Sequence, residues 1–453
     1  MKFISLKQVV VLGFVTLLSA CGGGGGSSST VAVAPVPFGI KQMGVVGAVT
    51  IGRATATDAS GNVYVAGDTT GGLDSNSLTG IHDFFLTKYS ASGTKIYTKQ
   101  LGVANYVTIG TSVATDASGN VYVAGSTTGN LVSGSGASTG PQDFFLIKYD
   151  SNGNKKYIVQ TGVPGYVSVA NSVATDAVGN VYVAGVTTGN LVNGSGASTG
   201  INDFFLAKYD SNGNKKYLVQ TGVPGYVSFA NSVATDAGGN VYVAGDTNGN
   251  LVNGSGASTG SNDFFLAKYN TSGNRLNITQ RGVAYHTTIS NGVATDAYGN
   301  VYVAGTTTGS LDGASTMTSG QEDFFIAKYD AATFTSLYIK QMGVAGITTQ
   351  ANSVETDSSG NVFVAGGTYG GLDGNTLTGS EDYFFTKYDI NGNKLYTKQA
   401  GVAGQAAEFL GSAIDKNGNL YFTGDTSGGL GGNIQSGLAD FFLAKYNGSG
   451  VLQ

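Results

Sequence analysis

Few stretches of this 453-residue chain combine residue types and spacing that could bind an ion. The stretch DASGNVYVAG at 58–67 places Asp58, Ser60 and Asn62 at alternating positions, as a calcium loop does. A calcium loop usually needs several carboxylates and a bidentate acid a few residues later. Related stretches have Ala, Val, Gly or Tyr at the intermediate positions, at 177–178, 237–238 and 297–298. The pattern favours a tight turn, with Gly61 at positive φ and the aspartate accepting from turn amides, over a Ca²⁺ site.

Catalytic signatures are sparse in the rest of the sequence. The chain has two histidines, His82 and His286, and a single cysteine, Cys21. It contains no G-x-S-x-G elbow, no phosphate-binding loop and no histidine cluster with metal-ligand spacing. We therefore expect a protein that is not an enzyme and that needs no cofactor.

The composition is typical of a folded protein with an uncharged polar surface. The chain has 73 glycines and 5 prolines, no tryptophan, 11% charged residues and 41% hydrophobic residues. A disordered chain would instead pair low hydrophobicity with high charge. The net charge of −5, without basic clusters, argues against a nucleic acid as partner.

The first residues have the pattern of a targeting segment. Lys2 and Lys7 precede an apolar run that is too short to span a membrane comfortably. The residues LSAC at 18–21 resemble the lipobox of bacterial lipoproteins, which implies that 1–20 is a signal peptide and that Cys21 carries a covalent lipid. The alternative is an ordinary secretory cleavage site with an incidental cysteine.

The lipobox resemblance also implies a location in the cell envelope. Gly22 after the cysteine favours the outer membrane in lipoproteins of enterobacterial type, with the protein facing the periplasm or the cell surface. Residues 21–37 form the lipidated cysteine and a flexible Gly/Ser/Pro tether. No later segment is apolar enough to cross a bilayer, so we expect 38–453 to be an exported domain.

Three signatures recur along this domain at intervals of 58 to 61 residues, which indicates an internal repeat. The aspartate of the turn is Asp58, Asp116, Asp176, Asp236, Asp296, Asp357 and Asp415. The motif D-F/Y-F-x-x-K-Y begins at Asp83, Asp143, Asp203, Asp263, Asp323, Asp382 and Asp440. The motif Q-x-G-V begins at Gln42, Gln100, Gln160, Gln220, Gln280, Gln341 and Gln399.

Each period predicts four short strands rich in Val, Tyr and Phe. In one copy these are strand a at 171–177, strand b at 180–188, strand c at 203–210 and strand d at 215–222. Adjacent phenylalanines make both faces of strand c apolar, as in a sheet covered on both sides. Seven such units predict an all-β fold, a seven-bladed β-propeller of four-stranded antiparallel blades.

The two ends of the repeat region predict how the ring closes. Residues 38–46 contain a strand d with no preceding a, b or c, and the chain ends after a strand c. We therefore expect the N-terminal strand to complete the last blade, which leaves no open edge.

The stretch ATDASGNVYVAGDTTG and the later DFFLTKYSASG resemble the SBBP bacterial β-propeller repeat. The resemblance covers about 38–453. It implies a propeller in an exported bacterial protein and no particular activity, because propellers support many functions. The aspartate and lysine shared by all copies of the c strand are best explained as repeated structural anchors.

Successive strands of a blade are antiparallel, so their connections alternate between two rims of the propeller. The tight a–b and c–d turns lie on one rim, the tight-turn rim, and the longer b–c and d–a loops lie on the other, the long-loop rim. Long loops on a rigid scaffold commonly bind ligands. One position of the d–a loop is aromatic in four adjacent copies, which predicts either an arc that binds a glycan or a protein, or rings that pack between blades; these residues are Tyr106, Tyr166, Tyr226 and His286.

Two carboxylates complete the list of candidate site residues. Asp68 and Asp425 end b strands that would be neighbours across the ring closure, which is a weak signal for a metal site. We expect a monomeric binding, adhesion or scaffold module that is anchored to the membrane by its lipid. The alternative is a polysaccharide-active hydrolase or lyase that uses rim carboxylates.

Overall fold

The computed structural model describes residues 38–313 and 321–453. The predicted signal peptide, Cys21 and the tether lie outside the described residues. In the described part of the chain, no helix is long and apolar enough to cross a membrane.

Within these two ranges the chain forms seven antiparallel four-stranded sheets, blades 1 to 7, and three short 3-10 turns at Leu73–Ser75, Leu372–Gly374 and Leu430–Gly432. Blade 1 contains β2 (Thr50–Thr57), β3 (Val63–Thr69), β4 (Asp83–Tyr89) and β5 (Lys95–Leu101); blade 2 contains β6 (Thr108–Thr115), β7 (Val121–Thr127), β8 (Asp143–Tyr149) and β9 (Lys155–Thr161); blade 3 contains β10 (Ser168–Thr175), β11 (Val181–Thr187), β12 (Asp203–Tyr209) and β13 (Lys215–Thr221). Blade 4 contains β14 (Ser228–Thr235), β15 (Val241–Thr247), β16 (Asp263–Tyr269) and β17 (Arg275–Arg281); blade 5 contains β18 (Thr288–Thr295), β19 (Asn300–Thr307), β20 (Asp323–Asp330) and β21 (Ser336–Met342); blade 6 contains β22 (Thr349–Thr356), β23 (Val362–Thr368), β24 (Asp382–Tyr388) and β25 (Lys394–Ala400); blade 7 contains β26 (Ala407–Ile414), β27 (Leu420–Thr426), β28 (Asp440–Tyr446) and β1 (Lys41–Met43).

Phenylalanine pairs of the c strands join neighbouring blades. Phe144 of blade 2 stacks on Phe205 of blade 3 with ring centroids 4.8 Å apart, and the same contact recurs around the ring. Phe85 and Phe441 make it across the closure, at 5.1 Å. Because each c strand is apolar on both faces, every blade needs a neighbour on each side. The predicted seven-bladed β-propeller is confirmed.

The ring closes through the N-terminal strand, as the sequence predicts. β1 pairs antiparallel with β28, so that Lys41 lies opposite Leu443 and Met43 opposite Phe441. The amide of Gly39 also donates to the carbonyl of Gln453 at 2.6 Å. The outer edge of blade 7 is therefore covered by a strand that is almost the full chain away in sequence.

The inner strands begin earlier than the sequence predicts. Strand a of blade 3 covers Ser168–Thr175 rather than 171–177. A bulge between Ala170 and Ser172 shifts the register, and the side-chain amide of Asn171 donates to the carbonyl of Ala230 in the next blade at 2.9 Å. The bulge interrupts the alternation from which strand boundaries are read.

The D-x-x-G-N segment forms the predicted tight turn. One carboxylate oxygen of Asp58 accepts from the amides of Ser60 at 2.9 Å and Asn62 at 3.0 Å. The other oxygen accepts from the side-chain amide of Asn62 at 2.8 Å and from the hydroxyl of Tyr64 at 2.9 Å. Gly61 has a φ of 79°. The carboxylate is occupied by donors of its own turn and strand, which accounts for its recurrence.

The lysine of each c strand joins its blade to the next. Lys88 donates to the carbonyl of Ser151 in blade 2 at 2.8 Å and lies over the ring of Tyr64, 5.1 Å from its centroid. Equivalent bonds recur around the ring, and Lys445 closes the series on Ala91 at 3.3 Å. These contacts are those of a structural anchor.

The aspartate of each c strand holds the root of the long b–c loop. Asp203 is fully buried and accepts from the amides of Thr199 at 2.8 Å and Gly200 at 2.7 Å. It also accepts from the side chain of Gln220 at 2.8 Å, and the carbonyl oxygen of that side chain accepts from the amide of Leu191 at 2.9 Å. We call this Asp–Gln pair the loop clamp. It gives the third signature, Q-x-G-V, a role that the sequence alone does not reveal.

Breaking the loop clamp should destabilise the protein without changing its surface. We expect Asp203→Asn to lower the free energy of unfolding by about 2 kcal/mol, because the NH₂ group that replaces one carboxylate oxygen then faces at least one of the donors that this oxygen accepted from. Asp210→Asn is a matched control, since Asn270 occupies the same place in the next copy, and should cost less than about 0.5 kcal/mol. Equal losses in urea denaturation would contradict the role of the clamp.

Candidate ligand-binding rim

The long loops of neighbouring blades are joined on one rim. The residue before each c strand forms a parallel bridge with the d–a loop that follows its own blade, as His82 does with Val107 and Gln142 with Val167. The long-loop rim is thus a continuous ring of loops rather than a set of separate projections.

The four predicted aromatic side chains lie on this rim and are half-buried. Tyr106, Tyr166 and Tyr226 each pack against the apolar cluster between two blades. The imidazole Nδ1 of His286 lies 3.4 Å from the hydroxyl of Thr308. Each ring is partly exposed, so a ring that packs between blades can also contact a ligand. A role of these residues in binding stays a prediction.

One neighbouring aromatic residue is held in an unfavourable conformation. Tyr285 is 95% exposed and has a φ of 65°, at a position where five of the other six copies have glycine. A left-handed conformation costs a non-glycine residue on the order of 1 kcal/mol. This strain marks a place where blade 4 departs from the repeat.

Asp68, the first of the two predicted carboxylates, is already paired. It is 2% exposed and binds the guanidinium Nε of Arg53 at 2.5 Å and the Nδ1 of His82 at 3.0 Å. No other copy has an arginine or a histidine at these positions. Blade 1 therefore places a buried ion pair at the mouth of the central channel.

Asp425 lies close enough to Asp68 to interact electrostatically, as the sequence predicts, and it belongs to a larger acidic arc. Burial raises the pKa of Asp425 to about 7, and the carboxylates of Glu408 and Glu381 add to that effect. Burial also raises the pKa of Glu381, which faces the hydroxyl of Tyr369. Among the described residues, Asp425 makes no hydrogen bond through its side chain. The mouth of the channel on the side of blades 6 and 7 therefore gathers acidic side chains, and burial disfavours the ionised forms of Asp425 and Glu381.

The spacing of the carboxylates in the acidic arc bears on metal binding. In the part of the chain that the structure describes, no group of three or more His, Cys, Asp or Glu side chains is arranged to hold a metal ion. In blade 4, the comparable Asp246 is held by the side-chain amides of Asn231 at 2.9 Å and Asn262 at 2.7 Å.

A polar pocket opens on the same rim between blades 5 and 6. It has a volume of about 560 Å³. Its walls include Gln321, Glu322, Ile347, Gln350 and Tyr369. The ring of Tyr369 is 47% exposed; burial of its hydroxyl raises the pKa of Tyr369 to about 12, and neighbouring carboxylates reinforce the shift. This pocket is not among the sites expected from the sequence, although the sequence holds a signal for it. Gln350 stands where five copies have Ile, Val or Phe, and Tyr369 stands where the other six have Thr, Asn or Ser.

The central channel contains one buried acid. The inner strands enclose a cavity of about 530 Å³. Glu355 lines it at a position that is alanine in the other six copies, and it accepts from the hydroxyl of Ser412 at 3.1 Å. Burial raises the pKa of Glu355 to about 8. The neutral acid is therefore the stable form in the folded protein at neutral pH.

The fold and its seven copies define a β-propeller built from a single repeat. The SBBP β-propeller repeat model matches five of the copies, at 96–131, 156–191, 216–251, 277–312 and 337–373. The five matched copies belong to the SBBP β-propeller repeat family.

The similar proteins differ widely in what their names describe. The regulatory protein FlaEY of Caulobacter vibrioides is 27% identical over 175 residues, which are 36% of this chain and 18% of that protein. This chain thus spans less than a fifth of that relative. A chain of the mitotic checkpoint complex matches with a TM-score of 0.47 at 12% identity, over 90% of this chain and 95% of that one. The quinohemoprotein alcohol dehydrogenase of Comamonas testosteroni matches with a TM-score of 0.42 at 11% identity, over 88% and 76%.

Glu355 should make stability depend on pH. Its pKa in the folded protein lies above the usual 4.5 of an unfolded chain, so its unfavourable effect is absent below pH 4.5 and grows until about pH 8. We expect Glu355→Ala, which restores the residue of the other copies, to match the wild type near pH 4.5 and to exceed it by a few kcal/mol at pH 9.

Thermal unfolding across this pH range measures the difference between the two proteins. Glu355→Gln keeps an acceptor for Ser412 and removes the titration, so it should follow Glu355→Ala in its pH dependence. If the difference in unfolding temperature between the wild type and the variants does not change with pH, Glu355 is not a buried neutral acid.

Proposed function

We propose that this protein is an exported, lipid-anchored binding module that recognises a glycan or protein ligand through its long-loop rim. In this role it serves adhesion or holds together components of the bacterial envelope. The places where the rim departs from the repeat support this function, whereas the propeller fold alone does not, because propellers support many functions.

One observation carries the proposal. On the tight-turn rim, the a–b turn keeps its aspartate and asparagine in every copy. The long-loop rim departs from the repeat in adjacent blades: the ion pair of Arg53, the acidic arc around Asp425 and the pocket at Tyr369. Because the residues shared by the copies already satisfy the fold, residues that break the pattern at one place are best explained by a ligand.

The position of the first strand is consistent with anchoring. β1 begins at Lys41, and the amide of Gly39, two residues before it, donates to the carbonyl of Gln453 on the tight-turn rim. The described chain therefore enters the propeller on the rim opposite the long loops.

A second function has one observation in its favour. Asp425, with a pKa of about 7 and two further carboxylates near it, has the protonation behaviour of a general acid at neutral pH. A polysaccharide-active hydrolase or lyase would use such a group. Incubation with envelope glycans separates the two functions, because an enzyme generates new reducing or unsaturated ends and a binding module does not.

A binding array tests the main proposal. We expect residues 38–453, purified without the anchor, to bind a subset of envelope glycans or proteins. Truncating two rim aromatics in Tyr166→Ala/Tyr226→Ala should weaken that binding about 10-fold or more if the aromatic arc contacts the ligand.

The same double variant also reports on packing. Both rings are half-buried, so the double variant should lose about 2 to 4 kcal/mol of unfolding free energy whether or not it binds. Reduced stability with unchanged affinity at a temperature where the variant is folded would assign the rings to packing alone. Failure of the wild type to bind any ligand would contradict the proposed function.

Lipid anchoring predicts a simple change in fractionation. Cys21→Ala should abolish lipid attachment and move the protein from the membrane fraction to the soluble fraction of the cell envelope. Metabolic labelling with a clickable fatty acid measures the attachment directly. Continued membrane retention without label would show that the membrane is bound in another way.

A further inference from the structure

We propose that the pocket between blades 5 and 6 binds a sugar ring, which stacks on Tyr369 and is held by Glu322, Gln321 and Gln350. The inference deepens the proposed function and rests on it, since it assigns a ligand class to one place on the long-loop rim.

Tyr369 replaces a residue that stabilises the rim in the other six copies. There, a Thr, Asn or Ser side chain accepts a hydrogen bond from an amide of the d–a loop, as Thr70 does from Val49 at 2.9 Å and Thr128 from Val107 at 3.0 Å. No such bond joins Thr348 and Tyr369 in the described residues. Blade 6 thus gives up a structural bond and gains an aromatic ring that is 47% exposed.

Other departures from the repeat occur at the same place. Gln350 occupies a position that is Ile, Val or Phe in five copies, and it lies opposite Gly367, where most copies have a side chain. A Cβ at Gly367 would lie 2.5 Å from a carboxylate oxygen of Glu381. The missing side chain therefore leaves room for the acidic residue behind the tyrosine.

The polar groups of the pocket are fixed before any ligand binds. The side-chain amide of Gln350 donates to Glu322 at 2.5 Å, and the hydroxyl of Thr348 donates to Gln321 at 3.1 Å. Each of these hydrogen bonds occupies one end of a glutamine amide or one oxygen of the Glu322 carboxylate. Among the described residues, no hydrogen bond engages the carbonyl of Gln350, the NH₂ of Gln321 or the second oxygen of Glu322, so these groups can bind a ligand.

This combination matches the chemistry of a saccharide. A sugar hydroxyl both donates and accepts, so it needs carboxylate or carbonyl acceptors and amide donors within one pocket. The apolar face of a sugar ring packs on an aromatic ring, which Tyr369 and the adjacent Ile347 provide. A cationic ligand would leave the amide donors facing a positive charge. The volume of about 560 Å³ lies within the range of small-ligand sites.

The test uses variants that restore the repeat. Full-length protein in detergent is titrated with the methyl glycosides of glucose, galactose, mannose and N-acetylglucosamine, and binding is measured by saturation-transfer NMR. We expect at least one glycoside to bind with millimolar affinity. Tyr369→Thr should weaken it about 10-fold or more and Gln350→Ile about 5-fold.

Stability separates a binding role from a structural one. Tyr369→Thr regains the hydroxyl acceptor that the other blades use, so its unfolding temperature should be equal to or above that of the wild type. Tyr285→Gly removes an exposed aromatic ring elsewhere on the rim and should leave glycoside affinity within about 2-fold. Equal loss of affinity in this control would show that the NMR signal does not come from the pocket.

Two results would overturn the inference. One is a wild type that binds Nα-acetyl-lysine methylamide through Tyr369 but no glycoside, which would make the pocket a cation site. The other is a rim ligand from the binding array that binds Tyr369→Thr as tightly as the wild type, together with no binding of any glycoside. That result would support the proposed function and contradict the assignment of the pocket to a sugar. Absence of both a rim ligand and glycoside binding would contradict both proposals.

Discussion

The buried carboxylate at the start of each c strand is the constraint on which the rim depends. Asp203 is fully buried, yet three donors surround it, so its desolvation is offset by charge-assisted hydrogen bonds. Through Gln220 the same carboxylate connects the root of the b–c loop to strand d. A loop fixed at its root tolerates substitution at its tip. The clamp therefore allows the long loops to differ between blades while the seven sheets stay alike.

The repeat provides an internal reference for function. At a given repeat position, six copies show which type of residue the blade uses in order to fold. A different residue in the seventh copy is then a departure that the fold does not require. Tyr369 lacks a bond that its counterparts make, and Glu355 replaces an alanine at a buried position. Both departures carry a free-energy cost that folding does not explain. They also differ in kind, because Tyr369 faces solvent on a rim whereas Glu355 lies inside the channel.

Most of the architecture could be predicted because each signature has a local cause. The D-x-x-G-N turn, the two-sided apolar c strand and the unpaired strand at 38–46 each indicate their structure within a few residues. The start of the inner strand could not be read from the sequence, because a bulge at Asn171 breaks the alternation.

The candidate site was predicted only in part, for a related reason. Asp68 and Asp425 share one repeat position, so aligning the copies places them together. The pocket joins Glu322, Gln350 and Tyr369, which stand at three different repeat positions on two blades. Their proximity depends on how a b–c loop meets the following d–a loop, and this is a property of tertiary packing.

The ring closure has a further consequence under the proposed lipid anchoring, in which the chain is held at its N-terminal end. β1 enters from the tight-turn rim and runs towards the long loops, with its hydrogen bonds to β28 perpendicular to its axis. A pull at residue 38 against a load on the opposite rim acts along this strand and shears its bonds together. The short strand that completes the fold is thus oriented to resist tension.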